Sequence, residues 1–129
     1  MTDGLGNPLT FILTPGQAGD CPEAEPLLAF CGEEEERAAV EAILGDKGYD
    51  SNDLAIHIED HFEAEVVIPS RKNANEPREI DRELYKARNK IERFIGRVKH
   101  YRRVATRYDK TARNYMSFLH IASIMTLLL

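Results

Sequence analysis

Between Leu84 and Val98 the apolar side chains Leu84, Ala87, Ile91, Phe94, Ile95 and Val98 recur mainly in steps of three and four residues. Such spacing places them on one face of an α-helix, so a helix is predicted from Asp81 to about Val104. Its buried stripe demands a partner. A second helix is predicted over 111–128, with Tyr115, Phe118, Leu119, Ala122 and Met125 on one stripe. The preceding apolar runs are too short for long helices. Leu9–Leu13, between Gly6-Asn7-Pro8 and Thr14-Pro15-Gly16, reads as a strand. Pro22–Phe30 reads as a short helix. Glu33–Glu36 opens another, running to Ala42, whose carboxylates suit the positive end of the helix dipole and carry no chemistry.

Ala42-Ile43-Leu44-Gly45 reads as a strand that delivers Asp46 at its C-terminal end. Ser51 or Asp50 then caps a helix to about His61. Glu65–Ile68 is a further strand, closed by Pro69, and the polar residues 70–80 form a linker. The alternation of strand and helix predicts an α/β layer. The organisation expected is a sheet and helix scaffold over 1–70, a linker at 71–80, and helices over 81–129.

Charge divides along the chain. Residues 1–70 hold sixteen Asp/Glu and two Lys/Arg, a net charge of −14, whereas residues 71–129 hold six and fifteen, a net of +9. A domain built only to bind a polyanion is basic throughout. This chain instead predicts a basic C-terminal face for phosphates and an acidic half with another task. The apolar tail Phe118–Leu129 is interrupted by His120, Ser123 and Thr126 and is too short to cross a bilayer. No secretory signal is expected. Cys21 and Cys31 lack metal-ligand or redox spacing, so a reduced, cytoplasmic protein is expected. The glycines form no phosphate-binding fingerprint, and neither Ser51 nor Ser70 sits in a nucleophile elbow. His57 and His61 have the spacing of helical metal ligands, but Ile58 stands where a zinc protease carries glutamate. A surface pair is the simpler reading.

At about 100° per residue in a continuous helix, Arg88, Glu92 and Lys99 fall roughly 60°, 20° and 40° from Tyr85. The four share one polar stripe along the edge of the apolar face. From such an edge Glu92 would reach an aspartate at a strand end. Carboxylates suit a divalent metal, and the flanking Arg88 and Lys99 suit a phosphate backbone. The alternative is an ordinary i,i+4 ion pair between Arg88 and Glu92.

The spacing Tyr85-x2-Arg88-x3-Glu92-x6-Lys99 resembles the Y-R-E-K signature of insertion-sequence DDE transposases. The neighbouring Arg82–Asn89, Ile91–Phe94 and Tyr101–Lys110 resemble the same family, as do Leu5–Pro8, Leu13–Ala18 and Asp46–Asp50. The four/five superfamily, in its five-type branch, is the nearest likeness. The resemblance implies a ribonuclease-H-like mixed sheet with flanking helices. It also implies two Mg²⁺ (or Mn²⁺) ions held by three carboxylates, for DNA strand cleavage and transfer. Asp46 corresponds to the second aspartate and Glu92 to the glutamate, both metal ligands, while Tyr85, Arg88 and Lys99 correspond to the residues that contact DNA phosphates. Arg93, Arg97, Arg102, Arg103 and Arg107 lie outside the motif and extend the basic surface.

The family's first catalytic aspartate matches neither Asp3 nor Asp20. The expectation is therefore the C-terminal part of a catalytic domain, its first strand missing, encoded as the second frame of a two-frame insertion sequence or left by a decayed element. Such a chain is expected to be inactive alone. The partners expected are the terminal inverted repeats and target DNA, with an upstream-frame product or a second copy, in the bacterial cytoplasm at the nucleoid. The alternative is a non-catalytic protein that binds transposon ends or inhibits the transposase.

Overall fold

A computed structural model describes residues 1–129. The chain divides into two compact units, Pro15–Arg88 and the pair of segments Met1–Thr14 and Asn89–Leu129. The first holds nineteen Asp/Glu and eight Lys/Arg (net −11), the second three and nine (net +6).

In Pro15–Arg88, a 3₁₀ turn at Cys21–Glu23 leads into α1 (Ala24–Leu28), followed by α2 (Glu34–Ala38). A βαβ unit follows: β1 (Ala42–Leu44), α3 (Asn52–Phe62) and β2 (Glu65–Val67). The strands pair in parallel, Ala42 with Glu65, Ile43 with Val66 and Leu44 with Val67, so a crossover is obligatory and α3 provides it. Ser51 caps α3 by accepting from the Leu54 N–H at 3.3 Å. Leu54, Ile58 and Phe62, one helical turn apart, are buried with Val66, Val67 and Ile68. The helix ends at Glu63, which takes the left-handed conformation with φ 51°.

The 70–80 segment is pinned rather than loose. The Arg78 guanidinium donates to the Ile68 carbonyl at 2.9 Å and meets the Asp50 carboxylate at 3.3 Å. The other Asp50 oxygen accepts from the Arg71 N–H at 2.8 Å, and Ser70 Oγ accepts from the Arg78 N–H at 2.7 Å.

In the other unit α5 (Asn89–Val98), α6 (Arg102–Thr106) and α7 (Ala112–Leu128) enclose a core of Phe94, Val98, Val104 and Ala122. Phe11, Tyr101, Tyr115 and Leu119 pack around it. The strand expected at Leu9–Leu13 does not form. Its N-terminal end closes a turn, with the Leu9 N–H donating to the Met1 carbonyl at 3.0 Å. Phe11 then stacks on Phe94 with centroids 6.2 Å apart, so core packing replaces sheet pairing. The turn is organised by Asp3. One of its carboxylate oxygens accepts from the N–H groups of Leu5 and Asn7, each at 2.9 Å, and the other from the Asn7 side-chain amide at 3.0 Å. Gly6 sits at φ 91°, where an added Cβ would meet the Lys90 Cβ at 3.2 Å, so both conformation and space require glycine.

The long helix expected over Asp81–Val104 is broken. It comprises α4 (Arg82–Tyr85), a 3₁₀ turn at Lys86–Arg88, then α5 and α6. Between α5 and α6 the Tyr101 N–H donates to the Val98 carbonyl in a tight turn, and Tyr101 then becomes extended. That reversal brings Val104 into the core beside Tyr101, where a straight helix would turn Val104 about 80° away from Phe94. α7 forms where expected, with Thr111 accepting from the Asn114 N–H. Of its predicted stripe, Ala122 is buried, Tyr115 and Leu119 are half-buried, and Met125 is exposed.

Arg78→Gln is expected to lower stability by about 1–2 kcal/mol in chemical denaturation, since it leaves Asp50 without its cation. Burial pushes the Asp3 carboxyl up, but hydrogen bonds from Asn7, Leu5 and Gly6 outweigh it and hold the carboxyl below its ordinary value of 3.8. A depressed carboxyl stabilises the fold above its unfolded value and loses that contribution as pH falls through the folded one. The melting temperature of wild type should therefore exceed that of Asp3→Asn at pH 5–7 and converge with it at about pH 3.

Candidate functional site

Asp46 follows β1 by two residues, where the chain leaves the strand. Its backbone is extended (φ −80°, ψ 174°), and its Oδ1 accepts from the Gly48 N–H at 2.8 Å, capping a 3₁₀ turn at Lys47–Tyr49. The carboxylate is thus aimed by its own turn while remaining exposed. A Cβ on Gly48 would lie 2.8 Å from Asp46 Oδ1, so glycine is what lets the carboxylate sit there. Burial, then the Asp20 and Asp46 carboxylates and the Cys21 thiol, push the Tyr49 phenol above its usual value. Sequence reading grouped Tyr49 with Asp46 in one motif but did not associate Asp20 with them, since Asp20 is 26 positions from Asp46 and no periodicity links the two.

Tyr85 ends α4, whose cap is Asp81, accepting from the N–H groups of Glu83 and Leu84 at 2.9 and 3.0 Å. The 3₁₀ turn that follows brings residues three apart into register, where an α-helix would offset them by about 60°. Arg88 accordingly places its guanidinium 5.5 Å from the Tyr85 ring centroid, a cation–π pair. The stripe expected from a continuous helix is therefore corrected at this point: Tyr85 and Arg88 are aligned by the 3₁₀ turn.

Glu92 lies in the first turn of α5 and Lys99 just beyond its last residue, both exposed. Each has the sign that the helix dipole favours at its end. Asp46, Tyr85 and Arg88 belong to Pro15–Arg88, and Glu92 and Lys99 to the other unit.

The arginines outside the motif divide into two kinds. Arg103 lies 4.4 Å from the Phe118 ring centroid and 3.8 Å from Asp109 Oδ1, and Arg107 lies 5.2 Å from the Tyr115 ring. These two guanidiniums are held by contacts within the chain although both residues are exposed. Arg93, Arg97 and Arg102 are exposed. The second Asp109 oxygen is buried without a hydrogen bond, which leaves Arg103 as that carboxylate's neutralising partner.

The chain matches the family "Transposase DDE domain" over residues 1–127. A protein of Brucella ovis assigned as a transposase for insertion sequence element IS6501 is 35% identical over 125 residues, covering 97% of this chain and 92% of that one. The chain is a DDE insertion-sequence transposase by family. No solved structure matches it.

DDE transposases act on DNA, and the family generally uses divalent metals. In this transposase chain no three His, Cys, Asp or Glu side chains cluster to hold a metal ion. His57 and His61 are no substitute. Their rings stack at 4.3 Å instead of converging, and His61 Nδ1 pairs with the His57 carbonyl at 3.1 Å. No helix is long and apolar enough to cross a membrane.

Gly48→Ala is expected to rotate the Asp46 carboxylate off its cap, because the clash falls on the free end of a side chain. The loss of stability should stay below about 1 kcal/mol. Chemical-shift changes confined to residues 45–50, with an almost unchanged melting temperature, would bear this out.

Proposed function

We propose that this chain acts in DNA transposition by metal-dependent strand cleavage and transfer, as a transposase catalytic segment of ribonuclease-H-like descent. The observation that carries the reading is the family match along the whole chain together with the uninterrupted Tyr85, Arg88, Glu92, Lys99 spacing. Asp46 takes the role of the second catalytic aspartate and Glu92 that of the catalytic glutamate, as ligands for Mg²⁺ or Mn²⁺. Tyr85, Arg88 and Lys99 take phosphates of the transposon end. The cation–π pairing of Arg88 with Tyr85 supports this role, because it holds in place a guanidinium whose planar fork matches phosphate geometry. Lys99, a point charge at the end of a helix, suits a phosphate that needs no fixed geometry.

The family's first aspartate has no counterpart among these residues, so the third carboxylate comes from a polypeptide fused to or associated with this chain: an upstream-frame product or a second copy. Transposon-end and target DNA are the substrates, and the bacterial nucleoid is the place of action.

Two measurements test the reading. Lys99→Gln should weaken binding to a duplex carrying the insertion-sequence end about tenfold and lower the salt slope by about one. Equal affinity of variant and wild type overturns the phosphate role. Supercoiled DNA with Mg²⁺ should stay uncut by the isolated chain. Robust nicking that disappears in Asp46→Ala would overturn the need for an outside carboxylate.

A further inference from the structure

α5 and the turn after it carry a second basic feature that the signature does not include. Lys90, Arg93, Gly96, Arg97 and His100, with Leu5, line an open groove of about 490 Å³. No lining residue is acidic. At about 100° per residue, Arg93 and Arg97 lie roughly 100° and 140° round the helix from Glu92 and Gly96 only about 40°, so the groove runs alongside the signature stripe and its cations lie off it. Lys90 donates to the Gly4 carbonyl at 2.6 Å, which fixes the Gly4–Leu5 wall against the helix. Arg93 and Arg97 enter no ion pair or cation–π contact, unlike Arg103 and Arg107.

Gly96 is the second observation. It lies inside a helix, where glycine is unfavourable, and nothing structural asks for it. It has no positive φ, and an added Cβ would meet nothing within 4 Å. A glycine that the fold does not need, on the floor of a cationic groove, leaves room for something to approach the backbone closely.

We propose that this groove is a phosphate-backbone track for duplex DNA, separate from the signature residues, with Arg93, Arg97 and His100 as donors, Lys90 as the residue that positions the wall, and Gly96 as the floor. Its length selects a polymer over a single anion. From Arg93 to His100 is roughly 10 Å at about 1.5 Å rise per residue, and a duplex strand presents one phosphate per roughly 3.4 Å of axis. About three successive phosphates fit. The contacts are to backbone, so they carry no sequence preference. The proposal rests on the DNA-binding reading above.

The test measures binding of the full chain to two 30-base-pair duplexes of unrelated sequence across a salt series. Arg93→Gln with Arg97→Gln should lower the salt slope by about two, and weaken both duplexes equally. Gly96→Leu should raise the melting temperature by roughly 4 °C, as a better helix former, yet weaken binding at least fivefold by filling the groove. Stronger folding with weaker binding separates the groove from a merely structural role. Wild-type affinity and slope in both groove variants overturn the proposal. If Lys99→Gln alone then loses binding, the signature reading survives without the groove. If Lys99→Gln also binds as wild type, both readings fall.

Discussion

The burial of one face of α5 governs what the basic unit can present. Phe94 is only 2% exposed and Val98 3%, and both are locked among Val104, Ala122, Phe11, Tyr115 and Leu119. Once that face is fixed, the helix period leaves no freedom for the others. Glu92 must emerge on one flank, Arg93 and Arg97 on another, with Gly96 between them. The hydrophobic effect thus aims charged groups that it does not touch. Each aromatic in the cluster removes a large apolar area from water, and a rotation of α5 by one residue would bury an arginine in place of Phe94.

The breaks around α5 serve the same end by different means. A continuous helix from Asp81 to Val104 would keep turning at about 100° per residue, leaving Tyr101 within roughly 20° of Phe94 but carrying Val104 about 80° away from it. The tight turn at 98–101 resets the direction. Upstream, the 3₁₀ turn at Lys86–Arg88 brings Arg88 over the Tyr85 ring, a contact that offsets part of the entropy lost by holding a long, flexible cation in one place.

Much of this was legible in the sequence because it depends on local spacing. The helices over 52–62 and 112–128, the strands at 42–44 and 65–67, a cap at Ser51 or Asp50, and Asp46 beyond a strand end all follow from periodicity and capping chemistry, and the structure chooses Ser51. The family followed from spacing too. What was not legible depends on partners distant in sequence. Leu9–Leu13 has strand propensity, yet Phe11 finds Phe94 more than eighty positions away and packs there instead. Residues 70–80 are polar and read as a linker, but Arg78 is claimed by Asp50 and the Ile68 carbonyl. The break at Arg88 left no trace, since Lys86-Ala87-Arg88 consists of good helix formers.

The charge division follows the compact units more sharply than it follows halves of the chain. Met1–Thr14 with Asn89–Leu129 carries only three acidic residues, Asp3, Glu92 and Asp109. Asp3 holds a turn, and Asp109, largely but not fully buried, lies beside Arg103. Glu92 is the exposed one of the three. In a unit otherwise biased towards phosphate, a glutamate exposed on the first turn of the central helix weakens the field that attracts DNA. Pro15–Arg88, at −11, disfavours a phosphate backbone over most of its surface.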